Sequence, residues 1–174
     1  FFIRFLIFIL AIQIFIINSE IIRENIIKIV FLFVIFVIID SFYQFFNYSP
    51  EHGFQNDILG RNPVGLYGRL SGPFKDLIPG SIIVKFFFIS LLFFIKRKTT
   101  YLYLLFFIII FSLAITITYL SGERMAFAAL LLGILLSLAY LKNIRIKLIN
   151  CSFISLLLIY FITLSHPIYN DYKI

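Results

Sequence analysis

Two short polar islands interrupt an otherwise apolar chain, and each sets an arginine beside serine, glycine and an acid. They read Arg69-Leu70-Ser71-Gly72-Pro73-Phe74-Lys75-Asp76 and Tyr119-Leu120-Ser121-Gly122-Glu123-Arg124-Met125-Ala126. A guanidinium stays charged and presents a planar fork of donors that matches two oxygens of a phosphate or carboxylate at once. Arg69 and Arg124 are therefore the side chains best suited to hold an anionic group such as a pyrophosphate. Glu123 and Asp76 can serve as acid or base or orient the arginines, and Lys75 adds positive charge. Gly72 and Gly122 allow tight turns and close approach of backbone to a ligand. A plainer reading stays open beside this one: each arginine is an interfacial anchor or an ion-pair partner, Arg124 with Glu123 and Arg69 with Asp76. His52 and His166 lie on the side of the islands in the topology derived below, where an outward-facing transfer reaction needs a base, but neither sits in a recognisable motif.

Stepping from these residues to what must position them, 62% of the 174 residues are hydrophobic and 13% are charged. A soluble domain has roughly 45–50% apolar and about 25% charged residues. With a mean hydropathy of +1.07, the chain is expected to be an all-α integral membrane protein. Its net charge of +7 sits mostly in short clusters between apolar runs, where it orients a membrane protein and does not form a face that follows a nucleic-acid backbone. The single Cys151 excludes an intrachain disulfide, and together with two histidines it makes no metal-ligand spacing. No metal or other cofactor is expected.

A spanning helix needs about 20 mainly apolar residues. The expected architecture is about six transmembrane helices, at 1–17, 27–46, 79–95, 101–120, 126–141 and 148–164, with one long outer loop over 47–78. They form a single polytopic domain, part of a larger bundle, and the chain reads as a fragment cut at both ends. Lys96-Arg97-Lys98 and the cluster from Lys142 to Lys147 are basic connectors two spans apart, joined on the same face by Arg23 and Lys28. Basic loops stay cytoplasmic, so the long loop, the Ser121–Arg124 island and the tail from Ser165 are expected to face outward. Along the fifth run Ala129, Gly133 and Ser137 recur every four residues, a small-residue stripe that lets another helix approach closely. Asp40 and Lys85, both inside apolar runs, count to the same depth of roughly 8–9 Å below one interface; one expectation is an ion pair between them, the other that each side chain reaches separately to the outer headgroups.

The first island follows a span that ends Asp40-Ser41-Phe42-Tyr43-Gln44, and the second opens the small-residue helix one span pair later. This arrangement, over about residues 40 to 141, resembles the O-antigen ligase and O-antigen polymerase superfamily. The resemblance implies a multi-pass glycosyltransferase of the GT-C type in the bacterial inner membrane, with its long loop periplasmic. Such enzymes take a glycan from undecaprenyl pyrophosphate and pass it to lipid A core, to a growing glycan or to a protein, without a metal. It further implies that Arg69 and Arg124 face the pyrophosphate, that Gly72 and Ser121 shape their turns, and that the base is a histidine in a later periplasmic loop, beyond Ile174. The chain departs from the family where Leu77-Ile78-Pro79-Gly80 replaces the Pro-Asn that often follows the first motif. Two other readings of the same residues remain: a transporter or flippase-like carrier of an anionic lipid-linked sugar, and a non-catalytic membrane scaffold.

Overall fold

The computed structural model describes residues 19–61, 69–74, 77–95, 101–141 and 144–170. Five helices make up most of it: α1 (Glu20–Phe46), α2 (Pro79–Ile95), α3 (Tyr101–Leu120), α4 (Arg124–Tyr140) and α5 (Arg145–Ser165), followed by the single turn α6 (Pro167–Asn170). A two-residue antiparallel ribbon, β1 (Tyr48–Ser49) with β2 (Gly53–Phe54), opens the long loop, Tyr48 facing Phe54 across it. The mostly helical fold is as expected, whereas only part of the expected set of six spans is seen among the described residues. Three helices, α1, α3 and α5, are long and apolar enough to cross a membrane. α2 and α4 are apolar but have only 17 residues each. The expected span over 1–17 lies outside the described residues, as do Lys75, Asp76, Lys96-Arg97-Lys98 and Lys142.

Helix ends are set by hydrogen bonding rather than by where the apolar run begins. α1 starts seven residues earlier than the 27–46 run because Ser19 accepts the Ile22 N–H on its Oγ and Arg23 pairs with Glu20 at 2.9 Å. α2 begins at Pro79, whose missing N–H is one the first helical turn would leave unbonded. Arg145 donates from Nε to the Leu138 carbonyl at 2.8 Å and from Nη2 to Ala139 at 3.4 Å. It thereby covers the last carbonyls of α4 at the connector to α5.

The helices alternate in direction around α3, which packs against α1, α2, α4 and α5. Near the start of α1, Phe31 stacks on Phe93 at 4.7 Å and meets Phe94 edge-on at 5.3 Å, at the far end of α2. Phe94 continues the cluster to Phe107 at 5.0 Å, and Phe107 stacks on Phe111 at 4.6 Å. Lipid tails are as apolar as these side chains, so the association rests on shape and ring geometry more than on escape from water. The buried hydroxyls of α3 are satisfied within their own helix: Ser112 donates to Ile108, Thr116 to Ser112 and Thr118 to Ala114. Of the small-residue stripe on α4, Gly133 receives the ring of Phe88 from α2 so closely that a Cβ there would overlap it. Ser137 is buried, and Ala129 stays exposed.

One end of the bundle thus gathers the polar islands and the long loop, and the other carries the basic residues Arg23, Lys28, Arg145 and Lys147.

Candidate functional site

The motif end is built on α1. Asp40 and Gln44 are one helical turn apart, so they share a face, and both are fully buried. That face grips the loop. Asp40 accepts the Ile58 N–H on Oδ1 at 2.9 Å. Gln44 accepts the N–H groups of Ser71 at 3.0 Å and Gly72 at 2.7 Å on Oε1, while its Nε2 donates to the Gln55 carbonyl at 3.1 Å and to Ser71 Oγ at 3.2 Å. One amide therefore fastens the turn carrying the first arginine motif to the helix that precedes it. Between these grips, Asp57 accepts the Arg61 N–H on Oδ1 at 2.6 Å, and Arg61 Nη1 donates to the Pro73 carbonyl at 3.2 Å.

Asp40 and Lys85 do not form the expected ion pair. The Asp40 carboxylate is turned to the Ile58 amide, while Lys85 is exposed and makes no ion pair among the described residues. Counting residues along two helices says nothing of the direction in which each side chain leaves its helix.

The two islands meet through the first turn of α2. Gly72, in the left-handed region at φ 55°, lies against Ser41 on one side and Pro79 on the other, leaving no room for a Cβ. The next residue, Gly80, is pressed against the Ser121 hydroxyl, which donates to the Thr118 carbonyl at 2.8 Å. Gly122 follows at φ 71°, making the reversal from α3 into α4. Ser121 and Gly122 therefore shape the second turn as Gly72 shapes the first, and Pro79-Gly80 is wedged between them.

Arg124, the first residue of α4, lines a cleft of about 420 Å³ with Tyr119, Gly122, Glu123, Phe127 and Leu131 among its walls. The Arg124 guanidinium is exposed and makes no hydrogen bond or ion pair among the described residues, and Glu123 is not its partner. One Glu123 oxygen, Oε2, is buried without a hydrogen bond. Arg69 is likewise exposed and unpaired, at the same end of the bundle, but it does not line this cleft. The arrangement offers a free guanidinium at a helix N-terminus, where the helix dipole also favours an anion. Among the described residues, no three His, Cys, Asp or Glu side chains come together as a metal-ligand set.

His166 has a different task from that of a base. It is 8% exposed, its ring lies 4.1 Å from that of Phe45, and Nε2 donates to the Phe45 carbonyl at 3.1 Å while Nδ1 accepts the Ile168 N–H at 3.4 Å. Both nitrogens are spent in the neutral tautomer, and the ring ties the end of α5 to the end of α1. Burial pushes its pKa below the usual 6.5, against the smaller opposing pull of the Phe45 carbonyl. With the folded value below the unfolded one, the stabilisation is complete above the unfolded pKa. It is lost as pH falls from there through the folded value, because the unfolded chain takes up the proton first. The melting temperature in detergent should fall between about pH 7 and pH 5. His166→Gln, which keeps a donor for Phe45, should flatten that dependence; an unchanged pH profile would show that the latch carries no stability. His52, by contrast, is exposed in the ribbon turn.

Sequence reasoning missed Gln44 as the residue that fastens the loop. The signal was present: an acid and an amide four residues apart on an apolar helix define a polar face that needs partners.

The fold is α-helical, and among the described residues three helices are long and apolar enough to cross a membrane, which suggests a membrane protein. Comparison with family models, curated proteins and solved structures finds no match for the chain.

Proposed function

We propose that the protein is a membrane glycosyltransferase of the O-antigen ligase type, working on a glycan carried by undecaprenyl pyrophosphate. The observation that carries this reading is the meeting of the two arginine islands at one end of the bundle, each with an unpaired guanidinium and with Pro79-Gly80 packed between their turns. In this reading the first and the two 17-residue apolar segments also span, giving six spans in the bacterial inner membrane, with the motif end periplasmic and the basic end cytoplasmic. Arg124, supported by Arg69 and Lys75, would neutralise the pyrophosphate as an acceptor hydroxyl, on lipid A core or a growing glycan, attacks the anomeric carbon. Charge that develops on the leaving group is then met by cations already in place, which is a large term in catalysis. Asp76 would orient Arg69, Glu123 would serve as acid or base in the cleft wall, and Gly72, Ser121 and Gly122 would hold the backbone close to the phosphates.

The test uses membranes from cells expressing the full product of the gene, supplied with a radiolabelled glycan on a polyprenyl pyrophosphate. Transfer of label to an acceptor, with release of the polyprenyl pyrophosphate, is the expected result. Label that crosses sealed vesicles while still attached to its lipid would replace the enzyme by a carrier, and neither event would leave a scaffold.

A further inference from the structure

A second feature lies at the opposite, basic end. A cavity of about 650 Å³ opens between α1, α2 and α3, and Phe31, Leu32, Ile35, Phe93, Leu105 and Phe106 form most of its wall. It opens sideways: Leu32, Leu102, Leu105 and Phe106 line it and are themselves exposed, Leu102 at 77%. Among the described residues its one charged lining residue is Lys28, half-buried and without an ion pair or hydrogen bond there. The nearby acids do not neutralise it. Glu20 is engaged by Arg23 at 2.9 Å, and Glu24, one turn before Lys28, makes no ion pair with it.

An unpaired ammonium at the mouth of an apolar groove in a spanning helix calls for an anion that carries hydrocarbon with it. From Lys28 to Ile35 the groove follows α1 for about 10 Å, two turns of apolar wall leading away from a single positive charge. The floor is rigid, since Phe31 stacks on Phe93 and meets Phe106 at 6.1 Å. We infer that this groove is a binding site for an anionic phospholipid, one acyl chain lying along Phe31, Leu32 and Ile35 and the phosphate on the Lys28 ammonium. The site is independent of the transfer chemistry proposed for the other end.

Native mass spectrometry of the detergent-purified protein, titrated with phosphatidylglycerol and with phosphatidylcholine of identical acyl chains, tests it. The wild type should retain phosphatidylglycerol about fivefold more tightly, the worth of one basic side chain at an anionic surface. Lys28→Gln should bring the two lipids level, and Lys28→Arg should restore the preference. Leu102→Trp, at a position exposed enough to accept a larger ring, should reduce binding of both by filling the groove, with the melting temperature confirming that each variant is folded. Equal retention of the two lipids by the wild type would overturn the assignment, as would a preference that survives Lys28→Gln. Lipid binding untouched by Leu102→Trp, or a dimer that excludes lipid from the groove, would do the same.

Discussion

Replacing Gln44 with Leu should cost about 2–6 kcal/mol, because the Ser71 and Gly72 N–H groups would each be left buried without an acceptor at ~1–3 kcal/mol apiece. Among the described residues, no other side chain bonds so much of the loop to the helices. Its five bonds reach Gln55, Ser71 and Gly72, and it is completely buried. Leu has similar bulk, so the loss would come from unmet polar groups and not from a cavity. Gln44→Glu keeps the acceptor for the two backbone amides but loses the donor to the Gln55 carbonyl, and should fall between the wild type and Leu. Thermal melting in detergent measures the effect, and limited proteolysis across the loop shows where it acts. Should Gln44→Leu melt with the wild type and leave the loop equally protected, the clamp would have no energetic meaning.

Arg124→Ala should reduce glycan transfer by about 10²–10³, the usual effect of removing one group that stabilises developing charge. Membrane levels should hold, since the side chain is exposed and bonds to nothing described. Arg124→Lys should recover part of the rate, because an ammonium supplies the charge but not the planar fork. The structure separates the two arginines in a way the motifs did not. Arg124 lines the cleft and Arg69 stands outside it, so Arg69→Ala should have the smaller effect on the chemical step and the larger on binding of the lipid substrate. Wild-type transfer by Arg124→Ala would remove this cleft from the mechanism.

Much of the architecture could be read from hydropathy, for a physical reason. A continuous apolar run in a membrane has little choice but to be a helix, and α2 and α3 fall at 79–95 and 101–120 as expected. The ends of the other helices moved by a few residues, because Ser19 and Arg145 decide them through hydrogen bonds that an apolar average does not contain. At the site, residue type pointed to Arg69, Arg124 and the turn glycines, and the positive φ of Gly72 and Gly122 follows directly from what glycine alone tolerates. Asp40 shows the limit. Its partner is a backbone amide from a loop 18 residues away, and no periodicity along α1 carries that information.

The seating of Phe88 in the notch at Gly133 joins α2 to α4, and both have 17 residues. Each reaches about 25 Å, against a hydrocarbon core of ~30 Å. In the proposed six-span topology, because the two are neighbours, their shortfall is concentrated along one flank of the bundle. A bilayer meets hydrophobic mismatch of this kind by thinning, at a fraction of a kcal/mol per Å. The α4 side of that flank is where the Arg124 cleft opens. Headgroups there would be drawn several Å inward, so a lipid-borne phosphate could come level with the guanidinium without leaving the membrane.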